Sequence, residues 1–170
     1  RNRKGTWNIL HELVTFDMGL ERFGEMLKTE LASKFPKFEV LVHGDPAGMK
    51  RDEIYEVTAF DHLRSIGLTA RPTASNDFRV RREAGAMPMN RLIEGKPGLL
   101  VDKRCQRLRK ALSGGYHFKR VQISGGERYR DAPNKNEHSH VGDAFMYLLL
   151  GGGEHKRLTR GTNNKFKQSV

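Results

Sequence analysis

The sequence predicts an α/β fold in which a mixed sheet is flanked by helices. Short segments with strand character alternate with segments whose apolar residues recur at helical spacing, and this alternation is typical of a layered α/β domain. A chain of 170 residues is long enough for one domain with its own core. Hydrophobic residues make up 36% of it and charged residues 30%, which indicates a globular protein with an extensive polar surface.

The first third of the chain contains two predicted strands separated by a helix. Residues 6–14 alternate loosely and include β-forming side chains, so they predict a strand. Asp17 can cap the helix that follows, whose apolar residues keep helical spacing to about Ser33 before Pro36 ends it. Residues 38–43 form an apolar run, which favours a strand covered on both faces.

Two further helices are predicted in the middle of the chain. Asp52 can cap the first, which Gly67 closes. After a short extended segment, Asn76-Asp77 opens the second, which runs to about Leu92 and should be kinked or shortened at Pro88.

The last third is predicted to contain a short strand, a basic helix, a hairpin and a final helix. Residues 99–101 are the strand and 103–112 the basic helix. Residues 116–130 resemble a β-hairpin with Ser-Gly-Gly at its turn. Ser139 can cap the final helix, which ends at three consecutive glycines. The remaining tail is polar and basic, and we expect it to be disordered or bound to a partner.

Charge and cysteine content narrow the class of protein. The 31 Lys and Arg residues outnumber the 20 Asp and Glu residues and give a formal net charge of +11, which favours nucleic acid as a polyanionic partner. The single cysteine, Cys105, excludes an internal disulfide and a thiolate zinc site and favours a reducing compartment. No apolar run approaches the ~20 residues that span a bilayer. The first residue is Arg1, so we expect a fragment or a processed product.

Asp45 lies where the second predicted strand stops, in the sequence Gly-Asp-Pro-Ala-Gly. Loops at the carboxyl ends of strands are where α/β sheets carry their sites. A carboxylate there can bind a hard cation such as Mg²⁺, which takes few protein carboxylates. The alternative is an Asx-type turn, in which the side chain only bonds nearby backbone.

His140 and Asp143 begin the last predicted helix and lie three residues apart, on one helical face. The start of a helix stabilises an ionised carboxylate. Gly142 has poor helix propensity, and its use beside Asp143 indicates a close approach by the sheet or by a metal. The alternative is a dipole-stabilising aspartate beside a surface histidine.

The two aspartates, Asp45 and Asp143, are most informative as a pair. Bringing two carboxylates to ~4 Å costs roughly 4 kcal/mol at an effective dielectric near 20, which a structure tolerates only with a proton or a cation between them. Divalent ions would remove this cost, and two of them ~3.5–4 Å apart can activate a water and stabilise the leaving oxygen of a phosphodiester.

The remaining candidate residues are weaker or serve DNA contact. Glu12 is either a surface residue or a member of the acidic site, and Cys105 has cationic neighbours that can lower its pKa but no clear histidine partner. Tyr116 and Tyr129 interleave with basic residues that can follow a phosphate backbone, the alternative being solvated faces. The candidate DNA-contacting residues are Lys50, Arg51, Arg79, Arg81, Arg82, Lys119, Arg120, Arg128 and Arg130.

Taken in order, these segments resemble the nuclease domain of large terminase subunits, the genome-packaging motors of tailed bacteriophages. GTWNILHEL, VLVHGDPAG with the following Arg51, and SHVGDAFMYLL carry the resemblance, which spans nearly all of residues 5–150. It implies a ribonuclease H-like fold, with a nuclease domain over residues 1–153 and a basic tail over 154–170. It also implies an endonuclease dependent on Mg²⁺ or Mn²⁺, two ions being expected, which cuts concatemeric double-stranded viral DNA with little sequence preference.

The resemblance further implies roles for single residues and partners. Asp45 matches the central strand-end acid, Asp143 the helix acid, and His140 a histidine that some relatives place near the metals. The hairpin matches the family's DNA-facing ribbon, and the tail a contact with the portal ring. The portal protein, the small terminase subunit and an upstream ATPase domain are the implied partners, in the host cell cytoplasm and away from membranes.

One departure concerns the family's first acid, which sits on a strand that precedes GTWNILHEL. That strand is not among residues 1–170, so we expect a sheet that lacks its first strand and a nuclease that is weak or inactive as it stands. Asp17 is a poor substitute because it lies at a helix start. Two other functions stay open: a noncatalytic nucleic-acid-binding or assembly module, and a nuclease that resembles Holliday junction resolvases.

Overall fold

The computed structural model describes residues 2, 4–51, 56–121 and 128–154 as a mixed α/β structure. The strands are β1 (Trp7–Ile9), β2 (Leu41–Gly44), β3 (Thr69–Pro72), β4 (Leu92–Ile93), β5 (Lys96–Pro97), β6 (Leu99–Val101), β7 (Phe118–Val121) and β8 (Arg128–Pro133). The helices are α1 (Leu20–Lys34), α2 (Ala59–Ser65), α3 (Phe78–Met89), α4 (Gln106–Lys110) and α5 (Ser139–Leu149). The α/β class predicted from the sequence is confirmed.

The strands within these ranges form four separate pairs rather than the one mixed sheet that the sequence predicts. β1 runs parallel to β6 and β2 parallel to β3, while β4–β5 and β7–β8 are antiparallel. In the β2–β3 pair, Gly44 lies opposite Pro72 at the carboxyl end of both strands. The loop that carries Asp45 therefore follows the carboxyl edge of a parallel pair, as expected for a site-bearing loop.

The first strand ends at Ile9, earlier than predicted, and the chain after it contacts the start of α4. The Glu12 carboxylate accepts hydrogen bonds at 2.9 Å from the backbone N–H groups of Arg107 and of Leu108. These groups open α4, whose N-cap residue, Cys105, makes no side-chain cap of its own. Glu12 is thus neither a surface residue nor part of an acidic site, since it satisfies the exposed donors of a helix start.

Two helices begin at residues other than those predicted. α1 begins after Gly19, and Asp17 stands two residues earlier with φ at 50°. α2 begins after Thr58, whose hydroxyl and backbone N–H exchange hydrogen bonds with Asp61 in a capping box. Asp52, predicted to cap this helix, lies outside the described residues.

The other helix predictions agree closely with the structure. Asp77 caps α3 by accepting from the N–H groups of Arg79 and Val80, and α3 ends at Met89, directly after Pro88. α5 spans Ser139–Leu149, close to the predicted range, but its N-cap is His138 and makes no side-chain cap hydrogen bond, so the prediction that Ser139 caps the helix is wrong. β7 and β8 confirm the hairpin, whose predicted turn at 124–126 lies outside the described residues.

Two hydrophobic clusters hold the structure together. The larger joins β1 to α4 and α5 through Trp7, Cys105, Phe145 and Leu149, and the smaller packs α2 against β3. Burial raises the pKa of the Cys105 thiol, and the opposite effect of the Arg104 cation does not outweigh it, so the thiol pKa lies above and not below its ordinary value. Among the helices of the described ranges, none combines the length and the apolar character needed to cross a membrane.

Candidate functional site

Asp143 sits in the second turn of α5 and has only 15% of its side chain exposed. Its Oδ1 accepts hydrogen bonds from the Arg81 guanidinium at 2.8 Å and from the Tyr116 hydroxyl at 2.9 Å. Its Oδ2 accepts one from the Lys135 ammonium at 2.7 Å. Burial alone would raise the pKa of Asp143, but the bonds from Lys135, Arg81 and Tyr116 outweigh it and hold that pKa below its ordinary value. Asp143 is therefore an anion held by two cations.

Arg81 is a buried cation between α3 and α5, with 9% of its side chain exposed. Its Nε donates to the Asn76 carbonyl oxygen at 3.2 Å. Its guanidinium lies 4.6 Å from the ring centroid of Tyr147 and 5.6 Å from that of Phe78, where both rings attract a cation. These contacts fix the guanidinium on Asp143 from the protein side.

Gly142 explains how Tyr116 reaches Asp143. A Cβ at Gly142 would lie 2.5 Å from Cδ1 of the Tyr116 ring, so only glycine lets the ring lie flat on this turn of α5. The close approach predicted at Gly142 is thus made by a tyrosine ring, and neither by the sheet nor by a metal. Burial and the bond to Asp143 together raise the pKa of Tyr116, which keeps its hydroxyl a donor.

Asp45 stands at the end of β2, as the N-cap of a 3₁₀ turn over Pro46–Met49. Its Oδ1 accepts from the backbone N–H of Ala47 at 2.9 Å, so the Asx-type turn considered from the sequence is present. The Phe60 ring packs against both glycines of the loop, 3.2 Å from a Cβ placed at Gly44 and 3.1 Å from one at Gly48. The loop is thereby held in place while the Asp45 side chain itself stays exposed.

The pKa of Tyr147 responds to both aspartates. It lies one helical turn after Asp143, on the same face of α5. Burial, followed by a hydrogen bond between its hydroxyl and Asp45, raises the pKa of Tyr147, and the charge of Asp143 adds to this rise. The helix α5, which carries Asp143 and Tyr147, packs against β2, at whose end Asp45 stands, so the two predicted acids lie on elements that are in contact.

His140 lies on the first turn of α5 with an exposed side chain. Within the ranges described, no three His, Cys, Asp or Glu side chains gather into a group that could hold a metal ion. Mg²⁺ commonly binds through one or two carboxylates, with water and phosphate oxygens as its other ligands. Asp45 and Asp143 are hard oxygen donors that fit this kind of open site.

Eight of the nine predicted DNA-contacting residues are exposed: Lys50, Arg51, Arg79, Arg82, Lys119, Arg120, Arg128 and Arg130. Arg81 is the exception. Its guanidinium is buried against Asp143 and Tyr147, which does not favour the DNA contact predicted for it. Charge in the sequence did not distinguish it from Arg82, its exposed neighbour.

The hairpin of β7 and β8 presents basic side chains on both faces. Arg120 lies opposite Tyr129, and Val121 lies opposite Arg128. Because successive side chains of a strand point to opposite faces, Arg128 and Arg130 share one face while Arg120 and Tyr129 share the other. Tyr116, which the sequence grouped with this ribbon, belongs to the site around Asp143 instead.

Two residues of the site carry signals of different strength in the sequence. Tyr147 follows Asp143 by four residues on a predicted helix, a spacing that places both on one face. Lys135 lies in a polar loop with no periodicity, and nothing local relates it to Asp143.

In comparisons with protein-family models, curated proteins and solved structures, nothing matches this chain.

Proposed function

We propose that the chain is a metal-dependent DNA endonuclease domain of the large-terminase type, with a ribonuclease H-like arrangement, that cuts concatemeric double-stranded DNA with little sequence preference. The observation that supports this most is that α5, which carries Asp143, packs against β2, at whose carboxyl end Asp45 stands. The proposal requires the two carboxylates to reach one metal site from these neighbouring elements. The portal protein and the small terminase subunit are proposed partners on the same resemblance.

Asp45 and Asp143 are the proposed ligands of Mg²⁺ or Mn²⁺, with His140 beside them. When bound, such ions supply an activated water and charge stabilisation at the leaving oxygen of a phosphodiester. The protein contributes orientation: the Ala47 N–H and the Tyr147 hydroxyl hold Asp45, while Arg81 keeps Asp143 ionised and fixed.

The basic surface supports DNA as the substrate. A net charge of +11 supplies sequence-independent affinity for phosphates. A ribbon with Arg128 and Arg130 on one face and Arg120 on the other can contact both backbones that border a groove. None of these contacts requires a particular base, which agrees with the low sequence preference proposed.

We expect Asp45→Asn and Asp143→Asn each to reduce Mn²⁺-stimulated nicking of plasmid DNA by at least about 100-fold, because each removes one charged ligand. Asp45 is exposed and makes no ion pair with another of the described residues, so its variant should fold normally. The matched control is Asp17→Asn, which changes an exposed aspartate at φ 50°, a conformation that asparagine also adopts. Full activity in either acid variant, measured on the intact protein, would reject the assignment.

A noncatalytic nucleic-acid-binding module is the second candidate, and one observation favours it. Both oxygens of Asp143 already bind protein cations, as they would if the residue were purely structural. This alternative predicts steep salt dependence of DNA binding, no cleavage with any divalent ion, and a loss of stability in both acid variants. Normal folding of Asp45→Asn together with loss of nicking decides against it.

A further inference from the structure

We infer that Lys135 is the exchangeable counter-ion of Asp143: its ammonium donates to Oδ2, and it must leave for a divalent cation to bind that oxygen. The inference rests on the proposed function, since it concerns the same carboxylate. It assigns to Lys135 a role in metal loading that its position in a polar loop before α5 does not reveal.

The two oxygens of Asp143 are held by different kinds of group. Oδ1 accepts hydrogen bonds from Arg81 and Tyr116, which approach from the packed side between α3 and the segment after α4. Oδ2 accepts a hydrogen bond from the Lys135 ammonium at 2.7 Å. The Lys135 side chain is 68% exposed, whereas that of Asp143 is 15% exposed. The carboxylate therefore has one oxygen directed to the protein and one directed to a group at the solvent boundary.

Arg81 cannot be the group that leaves. Its guanidinium is bonded to Asn76 and stacked on Tyr147 as well as paired with Asp143. Moving it would leave a buried cation without partners, which is strongly unfavourable. It is the positioning residue that keeps Oδ1 fixed while the occupant of Oδ2 changes.

Lys135 has the opposite properties. An ammonium on a flexible four-carbon chain is strongly hydrated and regains its water shell when it leaves, and an exposed ion pair contributes little to stability. Its position beside Oδ2 marks where positive charge is favourable at this site. A hard divalent cation that binds the same oxygen carries twice the charge, so it competes directly with the lysine.

The experiment is a Mn²⁺ titration of the chain, following the electron paramagnetic resonance signal of free Mn²⁺. We expect Lys135→Met to bind Mn²⁺ about fivefold more tightly than the wild type, the factor that corresponds to loss of one solvent-boundary ion pair. Lys135→Arg should restore the weaker binding, because it restores the cation. Lys37→Met, which removes an exposed lysine with no contact to Asp143, controls for net charge.

A second readout follows the lysine itself. In ¹⁵N NMR of side-chain ammonium groups, the Lys135 signal should change from ion-paired to solvated as Mg²⁺ saturates the site, while the Lys37 signal stays unchanged. A Lys135 signal that is unaltered at saturating Mg²⁺ would overturn the inference. Thermal unfolding of Lys135→Met confirms that altered affinity does not come from altered folding.

The outcomes separate this inference from the function on which it rests. If Asp143→Asn abolishes Mn²⁺ binding while Lys135→Met binds no more tightly than the wild type, the exchange is wrong and the proposed metal site stands. If Mn²⁺ binding is the same in Asp143→Asn as in the wild type, both the exchange and the metal site are wrong. Tighter binding in Lys135→Met that requires Asp143 supports both.

Discussion

Glu154→Ala is expected to lower the free energy of unfolding by about 3–5 kcal/mol, the cost of breaking a buried ion pair from one side. The Glu154 side chain is 0% exposed and pairs with Arg91 through both oxygens, each at 3.1 Å. It also accepts from the indole Nε1 of Trp7 at 2.7 Å. Alanine would leave the Arg91 guanidinium and the Trp7 N–H without this acceptor, inside a packed region.

The hydrogen bond between Trp7 and Glu154 joins the last described turn of the chain to β1. Gly152 lies against the Trp7 ring so tightly that a Cβ would collide with it, and Glu154 then bonds the same indole. Trp7 is the single tryptophan, so its fluorescence reports both this contact and global unfolding in denaturant. A loss of about 4 kcal/mol would lower the melting temperature by about 10 °C.

Two control variants make the Glu154 prediction specific. Glu83→Ala removes an exposed glutamate and should change stability by less than about 0.5 kcal/mol. Glu154→Gln keeps the shape and an oxygen acceptor for Trp7, so it should cost less than alanine. If the free energy of unfolding of Glu154→Ala lies within about 1 kcal/mol of the wild-type value, the contribution typical of an exposed ion pair, the contacts of Glu154 with Arg91 and Trp7 do not hold the fold.

Arg81→Ala is expected to lower the free energy of unfolding by about 3 kcal/mol and to reduce the nicking of DNA as well. The substitution leaves Asp143, only 15% exposed, with Lys135 and Tyr116 as its remaining partners. It also removes the cation from the face of the Tyr147 ring. The carboxylate proposed to bind the metal would lose the group that orients it.

A double-mutant cycle between Arg81→Ala and Asp143→Ala measures this pair. The two changes should be strongly non-additive, since each removes the same ion pair and leaves a different uncompensated charge. Arg82→Ala, one residue along α3 and exposed, is the matched control and should leave stability almost unchanged. Additive effects in the cycle would mean that the two residues contribute independently.

Elements with a complete local signal could be predicted from the sequence. Asp77 caps α3 because an aspartate directly before an apolar-periodic segment satisfies the first N–H groups whatever else surrounds it. β6 lies over the predicted residues 99–101, and α5 lies close to its predicted range although Ser139 is not its cap. α2 begins after Thr58 and not after the predicted Asp52, although Thr58 and Asp61 have the spacing of a capping box, which is a local signal.

Features that depend on distant partners could not be predicted. Glu12 lies after the end of β1 and accepts a hydrogen bond from the Arg107 N–H at the start of α4, 95 residues away in the sequence. Glu154 has the polar surroundings of a tail residue, yet Trp7, 147 residues away, makes it a core group. Arg81 has the sequence context of a surface arginine, and only the packing of α3 against α5 shows that it serves Asp143.

The most direct test of the proposed site is anomalous scattering from crystals of the chain grown with Mn²⁺. The proposal predicts a manganese peak within coordinating distance of both the Asp45 and the Asp143 carboxylates, with the Lys135 ammonium no longer on Oδ2. A fully occupied Mn²⁺ elsewhere, with Lys135 still bonded to Asp143 and no peak between the two aspartates, would contradict it.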